Sequence, residues 1–228
     1  MIKAQHNHLA LWLFDRYILR LMRNHFHSFQ LLGAIEPIDP TAPLLLLPNH
    51  ASWWDGFFIY LLNRHFFQRH LYMMMQEEQL RRFWFFSKVG AYSIQPGNQD
   101  SVDESLEYTA TLLQSSDKPP AVCIFPQGKL MPWGKRPVIF KPGVRQILER
   151  ATSPVQVLLV ATRIEYTSSQ HADVFFQLSE CYRFNNTILP DMVALSSKME
   201  SMLQLLQTSI SYGEQGTIFL NGRQQKHE

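Results

Sequence analysis

Cysteine is nearly absent. Cys123 and Cys181 are the only two in 228 residues and stand 58 positions apart. Such a pair makes neither a disulfide framework nor a zinc ribbon, and it points to a reducing compartment rather than secretion. An excess of charge of one sign is also missing. Lys and Arg number 21 against 19 Asp and Glu, a net +2, so nucleic-acid binding gets little support although the isoelectric point is near 8.5. No run approaches the roughly 18 to 20 unbroken apolar residues that a membrane-spanning helix needs. The N-terminus lacks the basic end, apolar run and small-residue cleavage site of a signal peptide. No His-Glu-x-x-His or cysteine cluster marks a metal site, and no Gly-x-Ser-x-Gly elbow marks a serine hydrolase. What is plentiful is apolar: 46% of residues are hydrophobic and 13% aromatic. That excludes disorder as the main state and is ample for the core of one domain.

The spacing predicts a helix over 9–29. Arg16, Arg20, Arg23 and His27 fall on one stripe, while Leu11, Phe14, Ile18, Leu21 and Met22 gather opposite, with Phe29 extending that face and His25 within it. Lys3 and the three arginines against Asp15 give the first 30 residues a local +3. Two readings stay open: a basic amphipathic helix lying at a lipid headgroup boundary, or a surface helix docked on its own core. Residues 1–32 are therefore set apart as an amphipathic helical segment, followed by one domain over 33–228. In that domain short apolar runs predict strands at 44–47, 71–75, 90–94, 121–125, 155–160 and 174–178. Helical patterns occupy 57–67, 143–151 and 191–210, and a further helix to about Leu113 opens on a capping box of Ser101 and Glu104. The alternation implies an α/β fold: a mixed, largely parallel central sheet flanked by helices, with the amphipathic helix at its N-terminus.

The segment Pro48-Asn49-His50-Ala51-Ser52-Trp53-Trp54-Asp55 directly follows a predicted strand, where α/β folds place ligands and catalytic groups. If the turn lets His50 and Asp55 meet, the carboxylate holds one imidazole nitrogen and leaves the other to take a proton from an alcohol. By itself a histidine five residues before an aspartate is a weak signal that often arises by chance, and the plainer reading is a satisfied buried histidine. Ser52 reads as a turn or capping residue, and Cys123, inside a buried strand, as packing.

A second block, Phe125-Pro126-Gln127-Gly128-Lys129, closes a later strand, and Phe140-Lys141-Pro142-Gly143 follows shortly. The order of Asn-His-x-x-x-x-Asp, Phe-Pro-x-Gly and Phe-Lys-x-Gly between these strands and helices resembles the glycerolipid acyltransferase family over about residues 40–165. Its best-known members are the glycerol-3-phosphate and lysophosphatidate acyltransferases. The resemblance implies that His50 is the general base on an acceptor hydroxyl, that Asp55 orients it, and that Asn49 helps to fix the turn. The hydroxyl would attack an acyl thioester of coenzyme A or acyl carrier protein directly, with no covalent acyl-enzyme, no metal and no cofactor besides the donor. Backbone N–H groups near Gly128 would hold the oxyanion. Asn49, Gln127, Gly128, Lys129 and Lys141 are the substrate contacts expected on this basis.

The chain departs from the family pattern Phe-Pro-Glu-Gly-Thr-Arg-Ser: the carboxylate is Gln127 and the arginine position is Leu130. Pro96 falls where an earlier block has its arginine, and no arginine occurs between Arg82 and Arg136. Arginine grips phosphate through two parallel charge-assisted hydrogen bonds. Its loss favours an acceptor without a phosphomonoester, a lipid-linked hydroxyl such as that of a glycolipid (a carotenoid glycoside, for example), to which Gln127 would be suited. Lysophosphatidate stays open because Lys129, Lys135, Arg136 and Lys141 lie close by. Trp53 or Trp54 is expected to wall an acyl channel. Arg81 and Arg82 beside Phe83 to Phe86 suggest a headgroup-level edge, hence a cytoplasmic protein held at the inner face of a membrane. The competing readings are a non-catalytic lipid-binding surface protein and an acyl thioesterase.

Overall fold

The computed structural model describes residues 1–114 and 118–223. Helix α1 (His8–His25) runs directly into strand β1 (Phe26–Leu32). The chain continues through β2 (Leu44–Pro48), α2 (Asp55–Leu62) with a π-helical turn at 63–67, β3 (Leu71–Gln76), α3 (Glu77–Arg82), a 3-10 turn at 84–89 and β4 (Ala91–Ile94). Then come α4 (Gln99–Leu112), β5 (Ala121–Cys123), α5 (Gly143–Arg150), β6 (Val155–Glu165), β7 (Ala172–Leu178), β8 (Tyr182–Phe184), α6 (Met192–Ser211) and β9 (Thr217–Asn221).

The strands form one sheet in the order β4-β3-β5-β2-β6-β7-β1-β9, with β8 pairing on β6. The pairs from β4 to β6 are parallel, β7 runs antiparallel to β6, and β1 is parallel to β7. This is the mixed, largely parallel sheet that the alternation of strands and helices implies. A parallel strand is covered on both faces and so reads as a continuous apolar run. In β2 this is literal: Leu44, Leu45, Leu46 and Leu47 are all 0% exposed, each contributing about 2 kcal/mol through burial. Alternate residues face opposite layers. Leu45, Leu47, Val122 and Val157 join the core under α4, α5 and α6. Leu44, Leu46, Cys123 and Leu158 join the core under α1 and α2. Strands β2, β3, β5 and β6 therefore end at one edge, where the loops carrying chemistry collect.

The N-terminal segment differs from expectation. The helix expected over 9–29 stops at His25, where Phe26 turns extended at φ −127° and ψ 149°. Residues 26–32 are instead a strand pairing with β7 and β9. The helical stripe runs on through Phe29, so local periodicity hides a pairing whose partners lie about 146 residues away. His27 thus belongs to the strand, and the last seven residues of the segment set apart as 1–32 lie in the central sheet. Of the two readings left open for the helix, its predicted apolar face docks on the core: Ala10, Phe14, Ile18 and Met22 are buried, and Phe14 meets the rings of Phe57, Tyr60, Phe85 and Phe86. His25 is exposed rather than part of that face. The outer stripe carries exposed Leu9, Trp12, Leu13 and Tyr17, interleaved with Arg16, whose guanidinium lies 4.4 Å from the Trp12 ring. The capping box is also corrected. Asn98 caps α4, its Oδ1 accepting from the Ser101 N–H at 3.1 Å, and Glu104 accepts from the Met1 amino group. Strands β8 and β9 were not expected.

Candidate active site

β2 delivers Asn49 and His50 to the edge of the sheet, and α2 begins five residues later at Asp55. Asn49 is buried, with its side chain directed into β6: its Oδ1 accepts from the Thr162 N–H at 2.8 Å and its Nδ2 donates to the Thr162 carbonyl at 3.2 Å. It thereby prolongs the β2–β6 ladder past the strand end and fixes where His50 emerges. Asn49 was expected to fix the turn and also to contact substrate; its amide is used for the first.

Asp55 is the hub of the turn. Its side chain is 2% exposed. Oδ2 accepts from the Ala51 N–H at 2.7 Å, the Ser52 N–H at 2.9 Å and His50 Nδ1 at 2.9 Å, and Oδ1 accepts from Ser52 Oγ at 2.5 Å. A buried carboxylate accepting this many hydrogen bonds is held in place by its donors. Because an ionised carboxylate can only accept, the facing Nδ1 carries the imidazole proton, and Nε2 is left as the acceptor. The His50 ring stacks on Phe125 with centroids 4.0 Å apart. Its side chain is 23% exposed and lines a cavity of about 750 Å³.

That cavity is largely apolar. Phe14, Phe57, Leu71, Met73 and Phe86 line it, and so does Trp53. Trp54 turns away to meet His25 and Phe26, so of the two tryptophans Trp53 is the wall. Tyr60 also lines the cavity, and its hydroxyl donates to Asp15 at 3.1 Å. Burial and the Asp15 charge raise its pKa, which keeps it a phenol.

The second block meets the first directly. Gln127 Oε1 accepts the His50 backbone N–H at 2.7 Å, and the Met131 N–H donates to the His50 carbonyl at 2.8 Å. Gln127, expected to read an acceptor hydroxyl, therefore uses its carbonyl oxygen to latch the histidine loop. Gly128 adopts φ +71°, and its N–H closes a turn onto the Phe125 carbonyl at 2.9 Å. That donor is occupied within the turn, so an oxyanion held near Gly128 would take its hydrogen bonds from other backbone N–H groups of this segment. Lys129 and Lys141 line the cavity, and the Lys141 chain crosses Gly128 so closely that a Cβ there would lie 2.8 Å from it. Neither lysine pairs with a carboxylate among the described residues.

Two other nucleophiles are unavailable. The Ser52 hydroxyl is committed to Asp55, and Cys123 is fully buried, with its thiol pKa pushed well up by burial. Among the described residues no group of three His, Cys, Asp or Glu could hold a metal ion, and no helix is long and apolar enough to cross a membrane. Four cavity residues had no sequence signal at all: Gln76, Gln79, Gln99 and Gln146 each line it from a different element.

No curated protein sequence matches the chain. Among solved structures it is similar to the 1-acyl-sn-glycerophosphate (LPA) acyltransferase PlsC from Thermotoga maritima, with a TM-score of 0.55 over 87% of this chain and 79% of that one, at 15% identity. At that identity the likeness is one of fold. The family model described as Acyltransferase matches residues 32–165, a span containing both motif blocks and every strand that carries them. With more than half its length under that model, the chain belongs to the Acyltransferase family, as the paired His50/Asp55 and Phe125–Gly128 blocks had implied.

Proposed function

We propose that the protein is an O-acyltransferase that moves a fatty acyl chain from a thioester to the hydroxyl of a lipid acceptor, with His50 as general base. The observation that carries this is the His50–Asp55 pair opening onto an apolar cavity. His50 Nε2 takes the proton as the acceptor oxygen attacks the thioester carbonyl. The tetrahedral adduct then collapses, the C–S bond breaks, and the imidazolium returns the proton to the departing thiolate. An ester and a free thiol result, with no acyl-enzyme. The committed Ser52 and the buried Cys123 support this direct route. The donor is coenzyme A or acyl carrier protein.

Family membership supports an acyl donor and an acceptor; the cavity supports a lipid-sized apolar chain. An acceptor without a phosphomonoester is supported by Leu130 and Pro96, which line the cavity where the family pattern has arginine. A place at the inner face of a membrane is supported by the exposed Leu9, Trp12, Leu13 and Tyr17 of α1, with Arg16 and Arg20 among them.

The test is to incubate the protein with radiolabelled acyl-CoA and total membrane lipid and to separate the products. Labelled acylated lipid, lost in His50→Ala, is the expected result. Free fatty acid without acylated lipid would make it a thioesterase. Bound acyl donor with neither product would make it a lipid-binding protein.

A further inference from the structure

The cavity has a lining that the chemistry at His50 does not use. Gln76 at the end of β3, Gln79 in α3, Gln99 opening α4 and Gln146 in α5 all contribute to it. Gln76 and Gln99 are exposed and Gln79 and Gln146 half-buried, and the side-chain amides of Gln76, Gln79 and Gln146 make no hydrogen bond to protein among the described residues, so they are open to a ligand. Gln99 uses one donor, Nε2 to Asp103 Oδ2 at 3.1 Å, and keeps its carbonyl oxygen free. Around them the lining holds no carboxylate and no arginine among the described residues; its cations, apart from His50 when protonated, are Lys129 and Lys141, which belong to the Gly128 turn and the Phe140–Gly143 block.

An amide both donates and accepts, and so does a hydroxyl; a phosphate dianion only accepts and calls for cations. Four amides brought from separate elements to one cavity match a head group with several hydroxyls spread around it. We propose that these glutamines form the acceptor's head-group subsite and select an uncharged polyhydroxy head, a sugar carried on a lipid tail. The proposal rests on the acyl-transfer reading above and adds to it which residues choose the acceptor.

The experiment measures acyl transfer from acyl-CoA in mixed micelles to three acceptors: dodecyl glucoside, dodecanol and lysophosphatidate. Dodecanol has one hydroxyl and no head group, so it reports His50 chemistry and correct folding alone. The double variant Gln99→Leu/Gln146→Leu and the single variant Gln79→Leu leave the histidine loop untouched. Wild type is expected to prefer dodecyl glucoside to both other acceptors. The double variant is expected to lose about tenfold in kcat/KM on the glucoside, the worth of one or two hydrogen bonds, and less than about twofold on dodecanol. An unchanged glucoside-to-dodecanol ratio in all variants would overturn the subsite while leaving acyl transfer standing. A wild-type preference for lysophosphatidate over the glucoside would overturn it as well. Transfer to no acceptor would refute the acyl-transfer reading and the subsite with it.

Discussion

Replacing Asp55 by asparagine changes one atom at the hub of the turn. Today four donors converge on the carboxylate: His50 Nδ1, the Ala51 and Ser52 N–H groups, and Ser52 Oγ. The amide of Asp55→Asn has one accepting oxygen, and its NH₂ must face donors that previously found an oxygen. Loss of two charge-assisted bonds at about 1.5 kcal/mol each gives a destabilisation of about 3 kcal/mol. For a domain of this size that lowers Tm by about 6 to 12 °C. The kinetic effect is larger. Without a carboxylate opposite Nδ1, the imidazole is free to carry its proton on Nε2, the atom that must accept one. In the serine-protease template the analogous change costs about 10⁴ in kcat, so a fall of about 10³ to 10⁴ with little change in KM is expected here. The assays are thermal unfolding and steady-state acyl transfer on the same preparation, at a temperature where the variant is folded. A folded Asp55→Asn that keeps more than about a tenth of wild-type kcat would refute the orienting role.

Ser52→Ala removes one donor to Asp55 and should cost about 1 kcal/mol of stability with activity within about threefold of wild type; near-complete loss of transfer would instead mark Ser52 as a nucleophile. Gly90 adopts φ +105°, and a Cβ there would lie 2.1 Å from the Leu71 carbonyl oxygen, so Gly90→Ala is expected to destabilise by about 3 kcal/mol or more in urea unfolding. His6 is half-buried against His70 and Tyr72, and burial lowers its pKa from the ordinary 6.5. The folded chain then binds fewer protons than the unfolded chain, so this contribution to stability is present above about pH 6.5 and is lost as pH falls through it. The stability advantage of wild type over His6→Gln should therefore shrink between about pH 7.5 and about pH 5, with His65, also lowered by burial, leaving a residual slope in both. On α1, Trp12→Ala/Tyr17→Ala should weaken binding to anionic vesicles by about tenfold or more, from roughly 1 to 2 kcal/mol of apolar contact per ring, without lowering Tm.

What was readable in the sequence follows from the range of the interactions involved. β2 announces itself because four leucines between two prolines are covered on both faces. The His50–Asp55 pair was legible because its two members share a single turn. β1 was not, because residues 26–32 continue a helical periodicity and become a strand only through β7 and β9, far along the chain. Gln127 was read as a substrate contact because its type suits one; only its approach to the His50 N–H shows the internal use. Asn98 rather than Ser101 caps α4 although Ser101 and Glu104 fit the pattern, since an Asx cap three residues earlier satisfies the same N–H first. The four cavity glutamines had no spacing to betray them: they are assembled by β3, α3, α4 and α5 only when the sheet forms.

The central claim is that the His50 imidazole removes the acceptor proton. Single-turnover transfer from a bound acyl thioester by His50→Ala, with donor affinity measured on the same protein, tests it most directly. The account predicts a rate lower by about 10³-fold or more with the donor dissociation constant unchanged within about twofold. Transfer by His50→Ala within about tenfold of wild type would contradict it.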